Sequence, residues 1–334
     1  MDRMTMRRRI SLLIPFFNEA ENVVSTIAKL DSVARDLDYD FELVAVNDGS
    51  SDDTLRALEG IRSDVLTTII VDLSRNFGKE AALTAGLSYA DGDAVIPLDA
   101  DLQDPPELIP RLIERWESGY EVVLAKRVDR SSDNYLKRTS AHLFYKVING
   151  LSDFAIPEDV GDFRLMDRTV VDVLKQLPEN RRFMKGLFAW AGFRTTTIEY
   201  ARPPRVAGET KFNAWRLWNL ALEGVTSFST LPLRIWTYIG FLIAGASFLY
   251  GSFIALRTLM LGIDVPGYAS LLVAVLFLGG VQLIGLGILG EYLGRTYMEA
   301  KRRPAFIVRS ASRTPARNAL LKQGVAHNEV LDEH

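Results

Sequence analysis

Between Ile10 and Ala125 the chain alternates two hydrophobic patterns. Short apolar runs at Ile10–Phe16, Phe41–Val46, Thr68–Leu73, Ala94–Leu98 and Glu121–Ala125 read as strands, and most end in polar turn residues. The stretches between them, Glu21–Leu37, 52–62, Lys79–Ala90 and 106–118, carry helical spacing. Ser51 suits the N-cap of the second helix, with acids following in its first turn. Alternating βα units of this size predict an α/β domain with a mostly parallel sheet covered by helices on both faces. Ligands of such sheets sit beyond the carboxyl ends of the strands. Asp48, Asp99 and Asp101 all fall at those ends.

The second half follows another pattern. Ile235–Leu256 and Ala269–Gly290 contain no charged residue. Runs of about 22 residues can cross a hydrocarbon core of about 30 Å. Arg234 and Arg257 bracket the first run, and Lys301, Arg302 and Arg303 follow the second. With a short connector near Leu261–Tyr268, the pair is expected to form a two-span hairpin. The basic cluster places both of its ends, and the N-terminal domain, on the cytoplasmic side. Trp236 and Tyr238 are expected in the interfacial belt. Gly279, Gly280, Gly285, Gly287 and Gly290 are expected to serve close helix packing. A pair of buried helices in a soluble protein is the competing reading, disfavoured by the length of the uncharged runs.

Phe212–Arg234, with Trp215, Leu217, Trp218 and Leu220 set among Arg216, Asn219 and Glu223, reads as an amphipathic helix in the membrane surface or a surface helix packed on the first domain. The predicted division is therefore 1–211, 212–234, two spans at 235–256 and 269–290, and a cytoplasmic tail from 291 to 334, polar and disordered from about Ser310. The N-terminal basic stretch runs into an apolar segment too short for a secretory signal.

Composition narrows the chemistry. With 39 Lys+Arg against 42 Asp+Glu, the chain lacks the basic footprint of a nucleic-acid binder. It contains no cysteine and only three histidines, which excludes disulfides and thiolate metal sites and disfavours a histidine-rich zinc site. Pro15-Phe16-Phe17-Asn18-Glu19 follows the first strand where a dinucleotide enzyme would carry its glycine fingerprint. A phosphate-binding G-x-x-x-x-G-K-[ST] loop and a G-x-S-x-G nucleophile elbow are also missing from the sequence.

What remains is acidic. Asp99-Ala100-Asp101 places two carboxylates at i and i+2, on one side of the chain as it leaves a strand. Oxygen ligands so placed suit Mg²⁺ or Mn²⁺, which would bridge a diphosphate and stabilise charge on a departing nucleoside diphosphate. A lone D-x-D is weak evidence; its position at a strand end and the neighbouring Gln103 strengthen it. Asp48-Gly49-Ser50 can offer a carboxylate to a base or ribose, or simply make a turn and cap.

The motifs Pro15–Glu19, Asn47–Ser50, Arg75-Asn76-Phe77-Gly78-Lys79-Glu80, Asp99–Pro106, Gly161-Asp162-Phe163-Arg164 and Gly208-Glu209-Thr210-Lys211 occur in this order. Together they resemble the polyprenyl-phosphate glycosyltransferases of glycosyltransferase family 2, over roughly residues 10–305. With its two apolar runs the chain is most similar to the bacterial bactoprenol glucosyltransferases. That resemblance implies a GT-A fold and inverting transfer of a hexose from a nucleotide-sugar to polyprenyl phosphate, with glucose from UDP-glucose the first expectation. GDP-mannose as donor, or a non-catalytic membrane scaffold, are the alternatives. Pro15, Phe17, Asn18, Glu19, Val46 and Asp48 would line the nucleoside pocket. Asp99, Ala100, Asp101 and Gln103 would meet diphosphate and metal, with Asp99, Asp101 and Gln103 nearest the ion. Arg127, Arg205 and Lys211 would contact phosphates, and Arg138 the acceptor phosphate. Asp162, with Asp101 and Arg127, would stand at the reacting centre. The resemblance also implies a multi-pass protein of the cytoplasmic membrane with its active site at headgroup level, and a homo-oligomer is compatible with it.

Overall fold

The computed structural model describes residues 7–127, 160–177, 179, 187–188, 190–200, 231–261 and 267–318. The strands β1 (Arg9–Phe16), β2 (Asp40–Asn47), β3 (Leu66–Leu73), β4 (Ala94–Pro97) and β5 (Val122–Arg127) lie within two residues of the expected runs. Between them run α1 (Ala20–Arg35), α2 (Thr54–Glu59), α3 (Lys79–Tyr89) and, after a 3-10 turn at Pro106–Leu108, α4 (Ile109–Glu117). Then come β6 (Val160–Asp167), α5 (Arg168–Gln176) and β7 (Thr195–Tyr200). The long helices α6 (Leu231–Leu261) and α7 (Tyr268–Ala300) and the strand β8 (Val308–Thr314) complete the order.

The sheet runs β7-β5-β6-β4-β1-β2-β3-β8. Its centre, β4-β1-β2-β3, is parallel, as βα units require. β6 enters antiparallel between β4 and β5, and β8 is antiparallel to β3. Side chains on β1 alternate between two cores, which is why its apolar run is continuous. Ile10, Leu12, Ile14 and Phe16 join a cluster with Ile27 and Leu30 of α1 and Ile109 and Leu112 of α4. Leu13 faces the other way, onto α3, where a Cβ built on Gly86 would lie 1.9 Å from the Leu13 Cδ1. Each such fully buried aliphatic side chain stabilises by about 1.5–3 kcal/mol.

Three local expectations change. Ser51 does not cap α2, which starts at Thr54. The Asp52 carboxylate accepts from the Thr54 N–H at 3.1 Å, while the Ser51 N–H donates to the Asn18 Oδ1 at 2.8 Å. The tail is not unstructured from Ser310, because Val308–Thr314 is a strand on the edge of β3. The apolar runs are also only parts of longer helices of 31 and 33 residues.

The chain divides into two compact units. One comprises Met1–Lys146, Phe154–Phe212 and Pro304–His334; the other comprises Val147–Asp153 and Asn213–Arg303. In the second unit, α6 and α7 are long and apolar enough to cross a membrane, over Ile235–Ile254 and Phe277–Ala300. Of the five glycines expected to serve packing, Gly285 lies directly under the indole of Trp236, which is thus engaged between the helices. Among the described residues, a Cβ on Gly279, Gly280, Gly287 or Gly290 would meet nothing within 4 Å. Phe212–Arg234 lies outside the described residues up to Leu231, where α6 begins.

Candidate active site

The carboxyl ends of β1, β2 and β4 open onto one cleft of about 310 Å³. This is the lower end of the size range for small-molecule sites. β1 brings Pro15 and, just past its end, Phe17 and Glu19. Phe17 is 47% exposed, an uncovered aromatic face at the rim. Asp48 follows β2, and Asp99, Ala100 and Asp101 follow β4. Asn76, Gly78 and Lys79 form a further wall.

That wall is fastened through Asp48. Its two carboxylate oxygens accept from the Phe77 and Gly78 amides at 2.8 and 2.9 Å, and its own N–H donates to the Phe16 carbonyl. Burial pushes the Asp48 carboxyl above its ordinary range, against the opposing pull of the two amides and of Arg75. Gly49 follows with φ +62°, and a Cβ there would lie 2.2 Å from the Arg75 carbonyl carbon. The turn after β2 and the loop after β3 are therefore in backbone contact. Asp48 shapes the cleft as well as lining it.

The acidic turn is held from two sides. The Thr26 hydroxyl of α1 donates to the Ala100 carbonyl at 2.8 Å. Asp104 is buried and accepts from the Tyr200 hydroxyl at 2.5 Å. Within the turn Asp101 accepts from both the backbone and the side-chain amide of Gln103.

Lys79, the first residue of α3, was not among the expected site residues. Its ammonium lies 2.5 Å from Asp99 Oδ1 and 2.6 Å from Asp162 Oδ2. Burial alone would lower its pKa. The carboxylates of Asp162 and Asp99 outweigh that and hold the ammonium charged above the ordinary lysine range. A lysine in the first turn opposes the helix dipole. That mismatch, together with its place in the motif Arg75–Glu80, is the sequence signal that could have marked it. Asp162 itself is set by Arg164, whose guanidinium donates to the Gly161 and Asp162 carbonyls at 2.6 and 3.3 Å and stacks 3.9 Å from the Phe188 ring centroid.

The structure thus gathers Pro15, Phe17, Glu19, Asp48, Asp99, Ala100 and Asp101 in the cleft and ties Gln103 to Asp101 and Asp162 to Lys79. Two expected pocket residues lie elsewhere. Asn18 (φ 55°) joins the two turns, its Oδ1 accepting from the Ser51 N–H and its own N–H donating to the Ser50 Oγ. Val46 is completely buried, its side chain packed against Gly86 of α3. Arg127 closes β5 opposite Tyr200. Its side chain, together with Arg138, Arg205 and Lys211, lies outside the described residues.

The donor set fits a hard divalent cation. Asp99 and Asp101 offer carboxylate oxygens and Gln103 an amide, and a cationic group, the Lys79 ammonium, already bridges Asp99 to Asp162. Among the described residues no three acidic or histidine side chains form a complete metal site. Mg²⁺-type sites of this kind take one or two carboxylates and complete their shell with substrate phosphates and water.

Comparison with known proteins finds relatives over nearly the whole chain. The profile of Glycosyl transferase family 2 matches residues 11–174. An uncharacterized glycosyltransferase of Synechocystis sp. is 54% identical over 91% of this chain and 95% of its own. The SfII prophage-derived bactoprenol glucosyl transferase of Shigella flexneri is 53% identical over 91% of this chain and 99% of its own. Among solved structures, a mannosyltransferase from Pyrobaculum calidifontis in complex with GDP-Man and Mn²⁺ aligns with a TM-score of 0.45 at 18% identity, covering 89% of this chain and 88% of that one. With more than half its residues shared over nearly the whole length of these relatives, the chain belongs to glycosyltransferase family 2, in the group of the bactoprenol glucosyl transferases.

Proposed function

We propose that this protein transfers glucose from UDP-glucose to undecaprenyl phosphate, with inversion, in a divalent-metal-dependent reaction at the cytoplasmic face of the membrane. The observation that carries the reading is the meeting of Asp99, Lys79 and Asp162 beside a cleft at the strand carboxyl ends. The 53% identity to a bactoprenol glucosyl transferase, reaching through both apolar helices, supports the donor and acceptor classes. On this reading α6 and α7 anchor the catalytic domain in the bilayer, where a polyprenyl lipid is confined.

Asp99, Asp101 and Gln103 would hold Mg²⁺ or Mn²⁺, which supplies Lewis-acid stabilisation of the departing nucleoside diphosphate. Phe17 offers an aromatic face to the base. The Phe77–Gly78 backbone, fixed by Asp48, forms the wall on the nucleoside side. A lipid monophosphate has a second pKa near ~6, as phosphoserine does, and is largely ionised at neutral pH. It needs no strong base, and Asp162, committed to an ammonium at 2.6 Å, is better suited to positioning than to proton abstraction. Arg127, Arg138, Arg205 and Lys211 are the proposed contacts for the phosphates of donor and acceptor.

Lys79 keeps two carboxylates at the site together without repulsion. Lys79→Met removes that charge and is expected to lower kcat about 100-fold. Steady-state transfer assays on folded variant protein check this; activity within about threefold of wild type would make Lys79 a structural ion pair only.

The decisive experiment measures transfer of labelled sugar into an organic-extractable lipid. Purified protein in detergent receives undecaprenyl phosphate, Mg²⁺ or Mn²⁺, and UDP-glucose or GDP-mannose in parallel. The expected result is lipid label from UDP-glucose that disappears with EDTA. Label from GDP-mannose alone reassigns the donor. Lipid label from neither donor, with folded protein, defeats the reading.

A further inference from the structure

The tail that leaves α7 and re-enters the sheet as β8 carries a side chain to the back of the cleft. β8 pairs with β3 in register from Thr68↔Thr314 to Asp72↔Ser310, then slips, so that Leu73 faces Val308 and Arg309 is the extra residue of a β-bulge. Bulges re-aim side chains next to active sites. Here the guanidinium of Arg309 reaches Asp72 Oδ2 at 3.2 Å and the Ser74 carbonyl at 2.8 Å. Asp72 is nearly fully buried, and its other oxygen accepts from the Asn47 side-chain amide at 2.7 Å. Asn47 in turn accepts from the Ser50 N–H, across the turn that carries Asp48 and Gly49. Ser74 is the root of the loop whose Asn76 and Gly78 form a cleft wall, and its own N–H donates to the Ile307 carbonyl of the tail.

We infer that Arg309 is a positioning residue for the nucleotide half of the donor site, and that the tail beyond the apolar helices is an integral part of that site. Arg309 is not among the residues that line the cleft. It acts through Asp72 on the turn after β2 and through Ser74 on the loop after β3, and these are the two segments that meet at Gly49. Leaving the buried Asp72 carboxylate with one partner fewer would let both segments shift. The tail carries its own control. Arg313 pairs with Asp91 at 3.2 Å and with the fully buried Glu42 at 3.5 Å, near the amino ends of β4 and β2 and away from the cleft. The two arginines thus anchor the same strand, and only one stands behind the site.

This rests on the nucleotide-sugar reading above. The test uses full-length protein in detergent, with UDP plus Mn²⁺ as the calorimetric probe and UDP-glucose with undecaprenyl phosphate for kinetics. For Arg309→Met the Kd for UDP and the KM for UDP-glucose are expected to rise about tenfold, with kcat and the KM for undecaprenyl phosphate within about twofold. Arg309→Lys should recover part of the loss. Arg313→Met should lower the melting temperature and leave the UDP Kd unchanged. Equal UDP affinity in Arg309→Met, Arg313→Met and wild type overturns the inference and reduces β8 to an edge cap. Should Arg309→Met fail to fold, Asp72→Asn carries the same expectation, and an unchanged Kd there overturns it equally. Wild-type protein that binds GDP and not UDP moves the donor assignment, and the arginine contrast is then read with GDP.

Discussion

Replacing Asp99 and Asp101 together by Asn is expected to cut lipid-linked sugar transfer about 1,000-fold while leaving the protein folded. Both residues follow β4 at the edge of the cleft, and neither belongs to the apolar core. The amides preserve shape and lose charge, so a divalent cation would meet neutral carbonyl oxygens in place of two carboxylates. The substitution also removes the Asp99 half of the Lys79 clamp and leaves the Asp162 half in place. Two readouts separate these effects: transfer of label into lipid, and Mn²⁺ binding followed by electron paramagnetic resonance in the presence of UDP. Loss of both, with an unaltered melting temperature, is the expected pattern. Activity within about tenfold of wild type would remove the pair from the metal site.

Gly49→Ala is expected to do nearly as much damage by a different route. The residue sits at φ +62°, which costs a side-chain-bearing residue about 1–2 kcal/mol. The added methyl would also stand 2.2 Å from a backbone carbon of Arg75 and 2.5 Å from the Asn76 nitrogen, atoms that cannot swing aside as a side chain could. The loop must move, and Asp48 then loses its bonds to the Phe77 and Gly78 amides while remaining buried. A stability loss of about 3 kcal/mol is expected, together with a large rise in the Kd for UDP. Thermal unfolding and calorimetry check the two parts. Wild-type UDP affinity in Gly49→Ala would show that the contact between the loops does not shape the site.

The βα alternation was legible because it is a consequence of burial. A central parallel strand has two covered faces and writes a continuous apolar run, and all five early strands appear close to where such runs stand. The acidic turn was legible because a strand end followed by Asp-x-Asp puts two carboxylates where open α/β sheets generally bind ligands. Val46 shows the limit of carrying a motif over residue by residue, since a strand's last apolar positions look the same whether they face a ligand or, as here, a neighbouring helix.

The sequence by itself determined the α/β class, the strand-end placement of Asp48, Asp99 and Asp101, and the two helices long and apolar enough to cross a membrane. Each is a local pattern of period, length or charge. Tertiary structure alone decided that Lys79 joins Asp99 to Asp162, because those residues come from an α-helix, a parallel strand and an antiparallel strand inserted between β4 and β5. It alone decided that a polar tail becomes β8. Nearly all of that strand is exposed, so it has no apolar alternation to betray it. Its stability comes from backbone hydrogen bonds to β3 and from two arginines reaching buried carboxylates, partners that become visible only when the chain has brought them together.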